Sequence, residues 1–289
     1  MFGKVLKYDL LATFKLFLLG AMLSLMGGVG GGVLIRIFLT VSDHDADNLF
    51  LVLSGIFSLF MGIFCLLAIV LPFFLTKILV YVRFYKHFFT DEGYLTFTLP
   101  VKRSTLFLSK NVSALILFAA QFAVTALSFL LFAILVTPPR AGGFFFNFAV
   151  LKGIGELFAS SWSAVGAWTL VYLLELLLIA LAYLIFSTLL VYFCIAFGAM
   201  LVKRGKLLLS VVLYYAITSL LGTVGEVAML VCSPFVLSGI FVLTEGASQN
   251  QTAAVYAVLF LSVLAVLSVL ASALYSTTQL IIDRKLNLA

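Results

Sequence analysis

Residues 83–110 read RFYKHFFTDEGYLTFTLPVKRSTLFLSK, a stretch dense in charged, turn-forming and hydroxyl side chains. Long apolar segments flank it, at about residues 49–82 and 112–136. Each is longer than the roughly 20 residues that cross the hydrocarbon of a bilayer. The stretch is therefore predicted to be a loop between two membrane spans. Because the chain concentrates its polar residues there, we expect the loop to contact another molecule.

The composition predicts the same class of protein. Hydrophobic residues make up 64% of the 289 residues and charged residues only 10%, with a mean hydropathy of +1.28. Soluble domains carry roughly 25% charged residues, so an ordinary soluble domain is excluded. Outer-membrane barrels alternate apolar and polar residues over about 10 positions, whereas the apolar runs here are longer and do not alternate. The predicted fold is an all-α polytopic membrane protein.

Six segments are predicted to be membrane spans, at about residues 16–40, 49–82, 112–136, 164–201, 207–243 and 253–282. Gly222, Gly225 and Pro234 interrupt the fifth, so its outer part is predicted to be broken or re-entrant. Residues 1–15 place apolar side chains at i+4 spacing with lysines elsewhere, which predicts an interfacial amphipathic helix; the alternative is a charged start to the first span. Glycines within residues 27–32 are expected to allow close approach of a neighbouring helix.

The basic residues predict the orientation of these spans. Of the 17 Lys and Arg residues, 14 fall in the N-terminal segment, around residues 77–110, at residues 203–206 and at the C-terminal end. The positive-inside rule then places these regions, and both termini, in the cytoplasm. The formal net charge of +6 forms no basic patch interleaved with exposed aromatics, so no nucleic-acid partner is predicted. The acidic run at residues 42–48 is expected outside, and no metal site is predicted there because consecutive loop residues rarely converge on one ion.

The loop offers acidic, aromatic and aliphatic side chains to the cytosol, which favours a protein contact, although a simple re-entry turn is the alternative. Residues 88–110, FFTDEGYLTFTLPVKRSTLFLSK, resemble the loop between the second and third spans of ABC-2 type permeases of Gram-positive bacteria. The chain is also similar to that family in its length, spans, lysine-bearing N-terminus and basic C-terminal tail. The resemblance implies a cytoplasmic coupling helix that docks on a separate ATPase subunit. It assigns the contact to Asp91, Glu92, Gly93, Tyr94, Leu95 and Pro100.

The resemblance further implies an exporter subunit in the bacterial cytoplasmic membrane, paired with a second permease copy or a paralogue. The chain contains no G-x-x-x-x-G-K-[ST] phosphate loop and no H-E-x-x-H or G-x-S-x-G motif. We therefore expect a non-enzymatic chain that binds no cofactor itself. ATP and Mg²⁺ would be bound by the partner ATPase.

Two carboxylates, Glu175 and Glu226, lie inside predicted spans. Intramembrane carboxylates are costly, and they favour a role in a substrate pathway or in proton coupling. The alternative for either residue is a structural carboxyl, hydrogen-bonded to a neighbouring helix or protonated by desolvation. For Glu226, a position at the outer surface is a further alternative. Two other functions also remain open. One is a non-transporting membrane sensor or assembly partner of an ATPase, and the other is an ion-coupled secondary carrier that uses both glutamates.

Overall fold

The computed structural model describes the chain except for residues 1, 43–48, 91–92, 94–97, 99–100, 137–148, 203–204, 245, 247 and 285–289. All regular secondary structure in the described part is helical. The helices, in chain order, are α1 (Phe2–Ser42), α2 (Leu49–Phe89), α3 (Arg103–Val136), α4 (Ala149–Val165), α5 (Trp168–Leu201), α6 (Lys206–Thr244) and α7 (Gln249–Arg284).

Six of the described helices, all except α4, are long and apolar enough to cross a membrane. Their cores match the six predicted spans, so the all-α polytopic fold is confirmed. All of these helices except α5 are longer than the predicted spans. The helices α1 and α2 each contain 41 residues, which is about 60 Å of helix at 1.5 Å per residue. Since hydrocarbon is about 30 Å thick, both helices must extend beyond it or tilt.

Two details of the predicted spans differ in the structure. Residues 2–15 do not form a separate interfacial helix, because α1 continues without a break from Phe2 into the first span; no Gly or Pro lies between residues 4 and 19 to end it. Likewise, α6 is continuous from Lys206 to Thr244, so its outer part is neither broken nor re-entrant. A single glycine costs a helix only about 1 kcal/mol, whereas opening the backbone in an apolar solvent costs several.

The chain divides into two compact units, the first of which comprises residues 1–82 and 112–158. In this unit, α1 contacts α2 through a row of small residues. The contacts pair Gly20 with Pro72, Ser24 with Ile69, Gly27 with Ala68, and Gly31 with Cys65. Gly28 and Gly32 face α3, where a Cβ on Gly28 would lie 2.5 Å from the carbonyl oxygen of Ser128. The predicted close approach at the glycines is therefore confirmed, and α1 runs antiparallel to α2 and parallel to α3.

A buried polar network also joins the three helices of the first unit. The Ser24 hydroxyl donates to the carbonyl oxygen of Ile69 at 3.2 Å, and the Gln121 amide nitrogen donates to the Ser24 oxygen at 3.3 Å. Both Ser24 and Gln121 are fully buried. Hydrogen bonds between membrane helices contribute about 0.6 kcal/mol on average, so this network fixes register more than it adds stability.

The second unit comprises residues 83–111 and 159–289. Here α5 and α6 form an antiparallel hairpin, and Gly198 near the end of α5 lies against Ser210 near the start of α6. In contrast, α5 and α7 meet at their N-terminal ends, where the Tyr172 hydroxyl donates to the carbonyl oxygen of Ala253 at 2.9 Å. Because α5 and α7 run in parallel, the helix between them must cross from one end of the pair to the other.

Candidate functional site

The ends of the 83–110 loop are held in the second unit by a core of aromatic rings. Phe84, near the end of α2, stacks on Tyr192 of α5 with ring centroids 3.9 Å apart and an interplanar angle of 18°. Phe107, in the first turns of α3, lies 6.3 Å from Tyr192 and 5.0 Å from Tyr275 of α7. All three of Phe84, Phe107 and Tyr192 are essentially inaccessible to solvent. We call Phe84, Phe88, Phe107, Tyr192 and Tyr275 the aromatic core.

The aromatic core packs the base of the loop against α5 and α7. Aromatic pairs contribute about 0.5–1.5 kcal/mol each beyond the area that they bury. In addition to Tyr192, Phe84 contacts the rings of Phe88, Phe89 and Phe107. Phe84 at the end of α2 and Phe107 at the start of α3 therefore pack with α5 and α7. A force applied to the loop would reach those two helices through buried side chains.

Polar contacts fix the same base. The Arg103 guanidinium donates from one nitrogen to the carbonyl oxygens of Ile282 and Asp283, both at 3.2 Å. The last carbonyls of a helix lack partners within the helix, and an arginine side chain is one of the groups that satisfies them. Lys110 is 6% exposed, and its Nζ lies 3.4 Å from Nδ1 of His87. The start of α3 is thus tied both to the end of α7 and to the end of α2.

Of the six predicted docking residues, the structure describes only Gly93; the other five, Asp91, Glu92, Tyr94, Leu95 and Pro100, lie outside the described residues. The Gly93 amide donates to the carbonyl oxygen of Thr90 at 2.8 Å. A Cβ at this position would lie 3.0 Å from the carbonyl oxygen of Phe88, which is tighter than ordinary van der Waals contact. The backbone therefore approaches Gly93 closely, and its docking role stays a prediction.

The two predicted intramembrane carboxylates have different surroundings. Glu175 of α5 is only 5% exposed, and its Oε2 is buried without a hydrogen-bond partner. It lies within electrostatic range of Tyr172, one turn before it on the same helix face. Glu226 of α6 is exposed, and it lies about 30 Å along the helix from Lys206. Glu175 is therefore a buried group within the second unit, whereas Glu226 lies near the far end of a span.

The sequence did not predict the residues that surround these sites. Tyr172, Tyr192 and Tyr275 lie within apolar runs, where nothing in the local pattern separates a tyrosine facing lipid from one in a helix interface. The only available signal was the phenol itself, because a buried Tyr hydroxyl needs a partner and so favours an interface. That signal identifies the residue and leaves its partner helix open.

These elements define the class of the protein. Six described helices of sufficient length and apolarity, alternating in direction within each unit, make the chain a multi-pass membrane protein. Comparison with protein-family models, with curated proteins and with solved structures finds no match.

Proposed function

We propose that this chain is the membrane-spanning permease subunit of an ATP-driven transporter of the ABC-2 type, acting as an exporter. A separate ATPase subunit, which binds ATP and Mg²⁺, would dock on the loop within residues 88–110. Closure of the ATPase would move the loop, and the spans attached to it would switch between inward-open and outward-open arrangements.

The aromatic core is the observation that carries this proposal. A coupling loop must transmit motion to spans. Phe84 near the end of α2 and Phe107 near the start of α3 lie on either side of the connection between these helices, and both pack on Tyr192 of α5. A mere re-entry turn has no need of a base in which buried rings of α2, α3 and α5 pack together and contact Tyr275 of α7. The geometry therefore favours a loop that bears load over one that only connects two spans.

The proposed orientation places the loop and both termini on the cytoplasmic side of a bacterial cytoplasmic membrane. It rests on the 14 basic residues that share that side. The parallel arrangement of α5 and α7 supports it, because α6 must then cross the membrane once. The working unit is proposed to be a dimer, formed with a second copy of the chain or with a related permease.

An ion-coupled carrier is the second candidate, and the buried Oε2 of Glu175 is the observation that favours it. A carrier of this kind would need no ATPase, and transport would be lost in Glu175→Gln. The non-transporting sensor or assembly partner would bind an ATPase tightly, and transported substrates would not stimulate hydrolysis.

The test is to purify the full chain in detergent from membranes of its own host and to identify co-purifying proteins by mass spectrometry. ATP hydrolysis by the eluate is measured in parallel. The wild type is compared with a Glu92→Lys, Gly93→Trp double variant. A matched control is Glu156→Lys, which makes the same charge change at an exposed position (69% exposed) on α4.

An ATPase that accompanies the wild type and the Glu156→Lys control, and is lost with the loop variant, would support the proposal. If all three proteins are monodisperse and none carries an ATPase, the permease proposal is refuted and the ion-coupled carrier replaces it. If the ATPase remains bound to the loop variant, the docking site lies elsewhere on the chain.

A further inference from the structure

A buried carboxylate lies between α5 and α7 in the second unit, close to the end of the bundle at which both helices begin. Glu175 lies seven residues after the first residue of α5, about 10 Å along the helix axis. On α7, Ala253 accepts a hydrogen bond from Tyr172 at 2.9 Å, and Phe260 packs edge-on against the Tyr172 ring with centroids 6.0 Å apart. Glu175 is therefore on the face of α5 that packs against α7.

Among the residues that the structure describes, no hydrogen-bond donor reaches one oxygen of this carboxylate. Oε2 of Glu175 is buried and unpartnered. The phenol of Tyr172, one turn before Glu175, donates its single proton to the carbonyl of Ala253 and so cannot also donate to Glu175. Burying a polar oxygen without a partner costs about 1–3 kcal/mol, and more if the group is charged. The site thus has an acceptor oxygen ready for a positively charged donor.

The surrounding side chains are aromatic, and this decides which kind of cation fits. Tyr172 lies within electrostatic range of Tyr256 as well as Glu175. Tyr256 and Phe260 of α7 are 47% and 41% exposed, so the aromatic residues that neighbour Tyr172 reach the outer surface of the helix pair. Calcium requires six to eight oxygen ligands, and the described residues contain no group of three or more His, Cys, Asp or Glu that could hold a metal ion. One carboxylate beside aromatic faces suits an organic ammonium instead.

We propose that Glu175, with the rings of Tyr172 and Tyr256, binds the ammonium group of a lipid-soluble amine. The ammonium would donate to Oε2, and the apolar part of the amine would lie along Tyr256 and Phe260 on the lipid-facing side. That such an amine is also transported rests on the proposed function, whereas its binding to this site does not.

The binding test uses the purified full chain in nanodiscs, without any ATPase, so that failure of this inference and failure of the permease proposal are separate results. The probe is 1-aminomethylpyrene, and 1-pyrenemethanol is its matched neutral analogue. The chain has two tryptophans, Trp162 and Trp168, and Trp168 begins the helix that carries Glu175. Energy transfer from tryptophan to pyrene therefore reports binding at this end of α5.

We expect saturable transfer with the amine, displaced by octylammonium, which keeps the N–H donors, and an affinity at least about tenfold higher than that of the alcohol. Glu175→Gln is expected to weaken amine binding at least about tenfold, which corresponds to about 1.4 kcal/mol, and to leave alcohol binding unchanged. Glu226→Gln removes the exposed carboxylate of α6 and is expected to bind the amine as the wild type does.

Equal affinity of the wild type for the amine and the alcohol would overturn the proposal, since the site would then be apolar only. Unchanged amine binding in folded Glu175→Gln would overturn it as well. If that variant does not fold, the comparison of amine with alcohol on the wild type decides the cation preference. Glu175→Asp then tests the assignment to Glu175, because it keeps the charge but shortens the side chain by one methylene. Weaker amine binding in this variant supports the assignment, and unchanged binding overturns it.

Discussion

The contact between α1 and α3 depends on Gly28, and replacing this residue by alanine should destabilise the first unit. The new Cβ would lie 2.5 Å from the carbonyl oxygen of Ser128 and 3.1 Å from its Cα. Both atoms belong to the backbone, so no side-chain rotation relieves the overlap, and the two helices must separate. Overpacking of this kind costs about 1–3 kcal/mol.

Gly30→Ala is the matched control, because it lies two residues away on the same helix. Its new Cβ would meet only Sγ of Cys65, at 3.7 Å, which is ordinary van der Waals contact. Both substitutions gain the intrinsic preference of alanine for a helix, about 1 kcal/mol, so this contribution cancels when the variants are compared. Gly28→Ala should therefore be about 1–3 kcal/mol less stable than Gly30→Ala.

The assay is the fraction of detergent-solubilised protein that stays monodisperse after heating, followed by fluorescence-detected size exclusion. At about 2–4 °C per kcal/mol for a chain of this size, the midpoint of Gly28→Ala should lie several degrees below that of Gly30→Ala. If the two midpoints coincide, or if Gly28→Ala is the more stable variant, then α1 and α3 do not approach as closely as described.

Two further predictions concern the base of the loop. Phe107→Ala removes a fully buried ring from the aromatic core and should lower the free energy of unfolding by about 3–5 kcal/mol. Phe122→Ala on the same helix, where the side chain is 64% exposed, should lower the heating midpoint far less. Equal falls in the two midpoints would show that the aromatic core is not packed as described. Arg103→Ala removes the donor to the carbonyls of Ile282 and Asp283 and should speed hydrogen exchange in the last turn of α7, measured by mass spectrometry. The control Lys102→Ala should leave that exchange unchanged. Identical exchange in the two variants would contradict the contact.

The number and approximate position of the spans could be predicted from the sequence, because both depend on quantities that composition sets directly. Hydrocarbon thickness fixes the length of an apolar run, and the cost of unpaired backbone groups in lipid makes each run a helix. The same cost explains why Gly222, Gly225 and Pro234 did not break α6, contrary to expectation. The docking roles of the loop residues, that of Gly93 included, remain predictions from the sequence.

Only the tertiary structure decided which face of each helix packs against another helix, which glycines lie at helix–helix contacts and which carboxylate is buried. Gly28 touches backbone, whereas Gly222 and Gly225 have nothing within 4 Å of an added Cβ; Glu175 is buried and Glu226 is exposed. The physical reason is that lipid is as apolar as a leucine side chain, so no hydrophobic force distinguishes the lipid-facing side of a helix from its packed side. The apolar pattern therefore determines that a segment spans the membrane, and close-range packing between particular side chains determines its neighbours.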